Sequence, residues 1–188
     1  MAAADAPRVL DINAASLPAV ASLDPHEIRR LSHLSDRHLV AENASGLSGY
    51  AFVFADSADY DGEEFLLLRS LMRGRTFVYI DQVAVTASQR GTGVGRRLYE
   101  AIAGSGVETG AEWLCCEVNT FPPNPDSLAF HLRMGFGRIH ASRTRDGREV
   151  DLLAKRIRDA SRSDRPDRAD PGDPAPIGTD STKPRQDP

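Results

Sequence analysis

The stretch that decides the fold is residues 79–103, YIDQVAVTASQRGTGVGRRLYEAIA. It begins within a run of mostly aromatic and β-branched residues, Phe77–Val85, which predicts the strongest strand of the chain. A glycine-rich turn at residues 90–95 follows this run. Apolar residues then recur at helical spacing and predict a helix with one buried face: Val94, Leu98, Ala101 and Ile102.

A helix that starts at a glycine turn is suited to binding anions. Its first backbone N–H groups have no helical acceptor, and the positive end of the helix dipole lies beside them. Glycine also lets the backbone approach a ligand without a Cβ clash. The turn has neither the Gly-Lys-Ser/Thr of a P-loop nor the G-x-G-x-x-G of a dinucleotide site. By itself it is equally consistent with a plain strand-to-helix turn.

A second strand follows this helix. Residues 113–118 are almost entirely apolar, as a strand buried on both faces would be. The succession of strand, helix and strand predicts a parallel pair. Beyond the proline-rich run at residues 119–125, Asn124 and Pro125 predict the start of another helix, which ends at Gly135.

Two groups of polar residues lie on these elements. Asn124, Ser127 and His131 share one face of the last predicted helix. The alternative is that Asn124 only caps the helix, that Ser127 has no specific role and that His131 is a surface histidine. Asp81 and Glu117 lie within apolar strands, where a carboxylate is costly unless it is paired or functional. We expect both carboxylates to face a cleft between the strands, with structural ion pairs to arginine as the alternative.

The remainder of the chain predicts further elements around this unit. Residues 9–12 predict an opening strand, and Asp24 and Pro25 predict the start of a short helix. Two hairpins are predicted, with strands at residues 39–42 and 50–55 and at residues 136–144 and 149–157. The charged segment at residues 56–75 is interpreted as an excursion packed over the domain, which either carries specificity or is a variable surface insertion.

Composition predicts one domain followed by a tail. A chain of 188 residues can build a full core, and we expect the domain to cover residues 1–158. Residues 159–188 hold half of the 12 prolines among Asp, Arg, Ser and Gly. This composition predicts a disordered tail, and a segment that folds on a partner is the alternative.

Charge and motif content exclude several classes of protein. A net charge of −4 gives no general drive toward nucleic acid or anionic membranes. The only cysteines are the neighbours Cys115 and Cys116, which indicates a reducing compartment. The N-terminus lacks a signal-peptide pattern, and no apolar run approaches the roughly 20 residues that span a bilayer. We therefore expect a cytoplasmic protein without nucleic-acid or membrane partners. Metal-binding motifs are also absent from the sequence, so no metal is expected.

Taken together, these segments resemble the GNAT superfamily of acyl-CoA N-acyltransferases. The resemblance rests on D-Q-V-A-V at residues 81–85, Q-R-G-T-G-V-G-R-R-L at 89–98, and C-E-V-N through N-P-D-S-L-A-F-H-L-R-M-G-F at 116–136. The last run is also similar to a bacterial branch of acetyltransferases whose acceptor is unknown. Over most of residues 9–157 the resemblance implies an α/β (α+β) fold. Its mixed sheet would have about six to seven strands, helices on both faces and two splayed central parallel strands.

The resemblance also implies acetyl-CoA as co-substrate, bound where the two strands splay. The pantetheine arm would bond to the backbone around Val83 and Val85. The remaining coenzyme-binding residues would belong to the glycine turn and the later helix: Arg90, Gly91, Thr92, Gly93, Val94, Gly95, Arg96, Asn124 and Ser127. The acceptor would enter from the opposite side, beneath the early helices and the segment at residues 56–75.

Catalysis is implied for three polar residues. The family signature usually has a tyrosine where this chain has His131, and that tyrosine protonates the leaving thiolate. An imidazolium is a stronger acid than a phenol, so His131 suits this role, and a hydrogen bond to CoA or to the acceptor is the alternative. Glu117 and then Asp81 are the candidate bases for the amine, with an amide near Val83 stabilising the oxyanion.

The resulting hypothesis is an N-acetyltransferase that transfers an acetyl group from acetyl-CoA to a primary amine by direct attack. The amine would belong to a small molecule, an amino acid or a peptide. One alternative is a catalytically silent acyl-CoA-binding or regulatory module of the same fold, and another is an interaction module that acts through the tail. The sequence names neither the acceptor nor the oligomeric state, for which a homodimer is one option.

Overall fold

Six strands and five helices account for most of the described chain, residues 1–35 and 37–157 of a computed structural model. The strands are β1 (Leu39–Asn43), β2 (Gly46–Ala55), β3 (Phe77–Val85), β4 (Trp113–Phe121), β5 (Gly137–Arg143) and β6 (Glu149–Arg156). The helices are α1 (Ala6–Ala14), α2 (Pro25–Leu34), α3 (Glu63–Leu71), α4 (Val94–Glu108) and α5 (Pro125–Arg133).

The strands form one mixed sheet in the order β1-β2-β3-β4-β6-β5. Strands β3 and β4 pair in parallel, and the other neighbours pair antiparallel. Helix α4 provides the crossover that a parallel pair requires. The structure thus confirms the mixed α/β sheet and both predicted hairpins.

The two parallel strands separate part of the way along their length. Their pairing ends at Ile80 opposite Cys116, although both strands continue beyond this point. The predicted splay is therefore confirmed. The next residue on each strand is a carboxylate, Asp81 on β3 and Glu117 on β4.

A β-bulge at the same place changes the side-chain alternation of β3. Two consecutive residues of β2 lie opposite Ile80 and Gln82, so Asp81 is the extra residue. Bulges re-aim side chains and are frequent beside active sites. As a result, the side chains of the neighbours Asp81 and Gln82 lie on the same side of the sheet. Asp81 accepts a hydrogen bond from Tyr60, and Gln82 accepts one from Tyr50.

Helices cover both faces of the sheet, as predicted. On one face, α1, α2 and α3 contribute to the core with Val9, Ile12, Ile28, Leu31, Phe65 and Leu68. On the other face, α4 and the residues after α5 contribute with Tyr99, Ile102 and Phe136. The fork between β3 and β4 therefore opens between two helical layers.

The prediction of an opening strand is wrong, because residues 9–12 belong to helix α1. Pro7 lies in the first turn of this helix, where a missing N–H costs nothing. Val9, Ile12 and Asn13 follow helical spacing, and all three are buried. A run of four residues is too short for its periodicity to separate a strand from a helix.

Strand β2 starts earlier than predicted, at Gly46, strand β4 ends later than predicted, and helix α4 runs through two glycines near its end. Helix α4 continues through Gly104 and Gly106, and Gly110, with φ of +81°, follows its end. Gly106 allows a close approach inside the helix, since a Cβ there would lie 3.2 Å from Ile157. Strand β4 continues past Val118 because β6 pairs with it along this extension.

The predicted tail, residues 159–188, lies outside the described residues. Within the described part of the chain, no helix combines the length and the apolar composition needed to cross a membrane.

Candidate active site

A cleft of about 940 Å³ opens at the fork between β3 and β4. One end is lined by the glycine turn and the first turn of α4. The other end is lined by residues 18–23, by α2 and by the segment that leads into α3. Side chains of α5 and of the β5–β6 hairpin complete the walls. The cleft thus joins a helix start to the opposite layer of the domain.

The glycine turn presents backbone amides at the start of α4. Gly91 and Gly93 have φ angles of +77° and +87°, which other residues rarely adopt. The Arg97 amide donates to the Gly93 carbonyl, so the amides between these two residues precede the helical ladder. Because these amides lie at the positive end of the helix, the turn is arranged to bind an anion.

Most residues predicted to bind the coenzyme line the cleft: Val83, Val85, Arg90, Gly91, Gly93, Gly95, Arg96, Asn124 and Ser127. Thr92 and Val94 lie outside this set. The Thr92 hydroxyl donates to the Gln89 carbonyl at 2.8 Å, and the Val94 side chain is buried in the core. The Thr92 amide also donates to the Gln89 carbonyl, at 3.4 Å, so of these two residues only Val94 offers a ligand its backbone amide.

Asp81 and Glu117 flank the point at which the strands separate, and both line the cleft. The Tyr60 hydroxyl donates to Asp81 Oδ1 at 2.7 Å. The Tyr79 hydroxyl donates to Glu117 Oε2, also at 2.7 Å. Within the described residues these carboxylates are held by phenols, and not by the arginines of structural ion pairs.

The environment of the fork makes both carboxylates more basic than usual. Burial raises the pKa of Glu117 well above its ordinary value, and the negative charges of Asp81 and Glu64 raise it further. Burial also raises the pKa of Asp81, although the hydrogen bond from Tyr60 acts in the opposite direction. Raised carboxylate pKa values of this kind are typical of groups that accept protons in catalysis.

Two further carboxylates of the cleft are neutralised by arginines. Glu27 forms a bidentate pair with Arg30, at 2.8 and 2.9 Å. Glu64 pairs with Arg148 at 2.8 Å. Among the described residues at this end of the cleft, Asp81 and Glu117 are therefore the carboxylates that have no cationic partner.

His131 is fixed in one tautomer by its hydrogen bonds. Its Nδ1 lies 2.8 Å from the Ser127 carbonyl, which can only accept, so Nδ1 carries the proton. Nε2 is then an acceptor, and the Tyr99 hydroxyl donates to it at 2.6 Å. Asn124 caps the same helix by accepting from the Ser127 amide at 3.3 Å. The structure thus brings the three predicted polar residues of α5 together and adds a fourth, Tyr99.

The imidazole of His131 is enclosed by aromatic rings. Tyr99, Phe130 and Phe136 meet it edge-on, with centroid distances of 5.3, 5.4 and 5.3 Å. Burial lowers the pKa of His131, and the hydrogen bond with Ser127 opposes this effect without reversing it. The environment of the ring therefore favours its neutral form over a resting imidazolium.

Tyr99 is the residue of this site that the sequence pattern missed. Of the apolar residues predicted to form the buried face of α4, Ala101 is exposed, and Tyr99 is buried instead. The sequence does contain a pattern that could have predicted the burial of Tyr99, a second set of residues at helical spacing: Gly95, Tyr99, Ile102 and Gly106. Tyr60 and Arg148, which line the cleft, and Tyr79, which donates to Glu117, were also not predicted.

Cys116 lines the cleft next to Glu117. Burial raises the pKa of its thiol well above the ordinary value. Because the thiolate is the nucleophilic form, this cysteine is not activated for attack. Among the residues described, no group of three or more His, Cys, Asp or Glu is placed to hold a metal ion.

Comparison with known proteins identifies a family. The model described as the acetyltransferase (GNAT) family matches residues 8–136, which is more than half of the chain. No curated protein sequence matches the chain significantly.

Solved structures share the fold at low sequence identity. Naa20 of Chaetomium thermophilum, in complex with a bisubstrate analogue, has a TM-score of 0.68 and 19% identity over 87% of this chain and 88% of that chain. The ribosomal-protein-S18-alanine N-acetyltransferase of Escherichia coli has a TM-score of 0.59 and 18% identity over 87% and 94% of the two chains. The phosphinothricin acetyltransferase of Sinorhizobium meliloti, in complex with AcCoA, has a TM-score of 0.61 and 18% identity over 84% and 85%.

We expect Glu117→Gln to stabilise the protein at high pH. The pKa of Glu117 is higher in the folded than in the unfolded chain, so the free energy of unfolding falls as pH rises between these two values. The amide keeps an oxygen for the Tyr79 hydroxyl and removes the charge. At pH 8 the Tm should rise by about 2–4 °C, the change that roughly 1 kcal/mol produces in a domain of this size.

Calorimetry at pH 5 and pH 8 tests this expectation. The gain should shrink at pH 5, close to the pKa of a carboxylate in the unfolded chain, because the free energy of unfolding has fallen little by that pH. Glu149→Gln, which removes an exposed carboxylate, is the matched control and should leave Tm unchanged at both pH values. A lower Tm for Glu117→Gln at pH 8 would contradict the prediction that the charge of Glu117 destabilises the folded protein.

Proposed function

This chain belongs to the GNAT family of acetyltransferases and is an acyltransferase, and we propose that it transfers the acetyl group of acetyl-CoA directly to a primary amine. One observation carries the proposal: a single cleft joins an anion-binding helix start to a pair of partly buried carboxylates. The phosphates of acetyl-CoA require a site of the first kind, and an amine nucleophile requires a base.

The coenzyme lies along the fork in this proposal. Its pyrophosphate accepts hydrogen bonds from the amides of the glycine turn, with the side chains of Arg90 and Arg96 beside it. Its pantetheine arm bonds to the backbone of β3 near Val83 and Val85. This part of β3 lies beyond Ile80, where pairing with β4 has ended, so the separation of the strands supports the assignment.

The acceptor amine gives its first proton to Glu117 or Asp81. An alkyl amine with a pKa near 10.4 is mostly an ammonium ion at neutral pH, and only its neutral form is nucleophilic. A pair of carboxylates with raised pKa values attracts the ammonium ion and accepts its proton more readily than ordinary carboxylates do.

The neutral amine then attacks the thioester carbonyl carbon. The C–N bond forms while the carbonyl π electrons move to oxygen, and an amide near Val83 stabilises that oxyanion. The C–S bond breaks when the carbonyl re-forms, and the electron pair leaves with the CoA sulfur. Direct attack is favoured over an acyl-enzyme because burial keeps the Cys116 thiol protonated.

The charge of the cleft favours a cationic acceptor. The carboxylates at the fork have phenol partners, whereas Glu27 and Glu64 nearby have arginine partners. Structures with this fold are named for acceptors as different as ribosomal protein S18 alanine and phosphinothricin. The acceptor class therefore has to be argued from this chain's own residues, and their charge supports an amine with additional positive charge.

We expect Gly93→Glu to weaken acetyl-CoA binding at least about 100-fold, measured by isothermal titration calorimetry. The new carboxylate would stand at the start of α4 beside the pyrophosphate, and like charges about 4 Å apart repel by roughly 4 kcal/mol near a protein surface.

Gly110→Glu is the matched control for this variant. Gly110 has a similar positive φ of +81° and open space around it, so the substitution carries the same backbone strain at the far end of α4. Its acetyl-CoA affinity should match the wild type. Equal losses of affinity in both variants would show that strain, rather than the loop, is responsible.

A panel of amines tests the acceptor class, with CoA release as the measurement. The panel contains an alanine-initiated hexapeptide, L-lysine methyl ester, spermidine and taurine. We expect kcat/KM to be higher for the cationic amines than for taurine, whose sulfonate is repelled by the fork. Glu117→Gln should lower kcat/KM by about 10²–10⁴-fold, the usual contribution of a general base, and Glu149→Gln should not. Acetyl-CoA binding without turnover of any amine would instead identify a catalytically silent acyl-CoA-binding module.

A further inference from the structure

The buried pair formed by Tyr99 and His131 lines the cleft, and the acetyl transfer proposed above does not yet say how the CoA sulfur is protonated. We propose that this pair is a proton relay, which carries a proton from the attacking amine to the departing CoA sulfur. The inference rests on the proposed acetyl transfer and accounts for the second proton of that reaction.

The stoichiometry of the reaction requires that a second proton leave the amine nitrogen. The nitrogen of an ammonium ion loses two protons when it becomes an amide nitrogen, and the CoA sulfur gains one. The carboxylates at the fork accept the first proton before attack. The second becomes acidic only after the C–N bond has formed, when the nitrogen of the tetrahedral intermediate is positively charged.

The hydrogen bonds of the pair have the direction that a relay requires. The Ser127 carbonyl holds the proton of His131 on Nδ1, so Nε2 offers a lone pair to the Tyr99 hydroxyl, 2.6 Å away. Tyr99 uses its only proton in that bond, and its oxygen keeps acceptor capacity. The phenol can therefore receive a proton on one side as it releases another on the other side.

The position of Tyr99 is also suitable. It lies on α4, the helix that begins at the glycine turn, and it packs in the core layer that contains Cys116 of β4. Tyr99, Cys116 and Glu117 all line the same cleft. The phenol therefore lies near the point at which the strands separate.

Neither member of the pair is suited to act alone as an acid. Burial raises the pKa of Tyr99 well above its ordinary value, so a lasting phenolate is disfavoured. Burial lowers the pKa of His131, so the resting ring has no proton on Nε2 to give. In a relay, Tyr99 gains one proton as it loses another and remains neutral.

The two steps balance. In the first, the ammonium nitrogen of the intermediate transfers a proton to the Tyr99 oxygen while the Tyr99 proton moves to His131 Nε2, which gives a transient imidazolium. In the second, the C–S bond breaks with its electron pair on sulfur. Tyr99 then protonates the sulfur while Nε2 returns its proton to the phenol oxygen. The products are the amide and CoA thiol, and the pair regains its starting state.

A double-mutant cycle on the full-length enzyme tests the relay with the panel amine that the wild type turns over fastest. Tyr99→Phe removes the relayed proton. His131→Gln keeps hydrogen-bonding groups but cannot accept a proton. Each variant should lower kcat about 100-fold or more, with little change in the KM for acetyl-CoA. The double variant should lose no more than the poorer single variant, because the two residues act as one unit.

Tyr50→Phe is the matched control, since it also removes a fully buried phenol hydroxyl, and it should keep kcat near the wild-type value. Nitrogen NMR of the wild type should find His131 protonated on Nδ1 and bare on Nε2, whether or not the variants fold. A wild-type kcat for Tyr99→Phe, additive losses in the double variant, or a proton on Nε2 would overturn the relay alone. A wild type that binds acetyl-CoA but turns over no amine would overturn the proposed function itself.

Discussion

The separation of β3 from β4 after Ile80 and Cys116 is the constraint on which the rest of the structure depends. The next pair in register would place Asp81 beside Glu117, and two carboxylates in a weakly solvated interior repel. Antiparallel pairing to β2 on one side and β6 on the other keeps both strands in the sheet despite the gap. The cleft occupies this gap, and the helix that crosses between the two strands starts at its edge.

The partners of the carboxylates determine what the fork can do. An arginine beside Glu117 would lower the pKa of the carboxylate and make it a weak base. A phenol satisfies the same oxygen without adding positive charge. Tyrosine partners therefore leave the fold less stable than arginine partners would, because the two carboxylates still repel each other and are partly desolvated. The same partners keep the carboxylates basic. A loss of stability at functional residues is a common feature of enzymes.

Regular local patterns made much of this fold predictable. The parallel strands, the glycine turn and the cap at Asn124 each have a signal within a few residues, and the structure contains all three. Predictions failed where tertiary packing decides, as at residues 9–12. Tyr60 stands in an irregular segment with no periodicity, and its contact with Asp81 bridges a separation of 21 residues. Tyr79 is different, because it precedes Asp81 by two residues on one strand, and alternation alone could have placed both on one face.

The role of position 131 could not be inferred from the family signature because it depends on a residue on another helix. A tyrosine there would carry its own hydroxyl into the cleft, whereas an imidazole has a function set by the proton that each nitrogen holds. The Ser127 carbonyl fixes that proton on Nδ1 and leaves a buried Nε2 that requires a donor. With an aliphatic residue at position 99, this nitrogen would be unsatisfied, at a cost of about 1–3 kcal/mol. His131 and Tyr99 therefore constrain each other across α4 and α5.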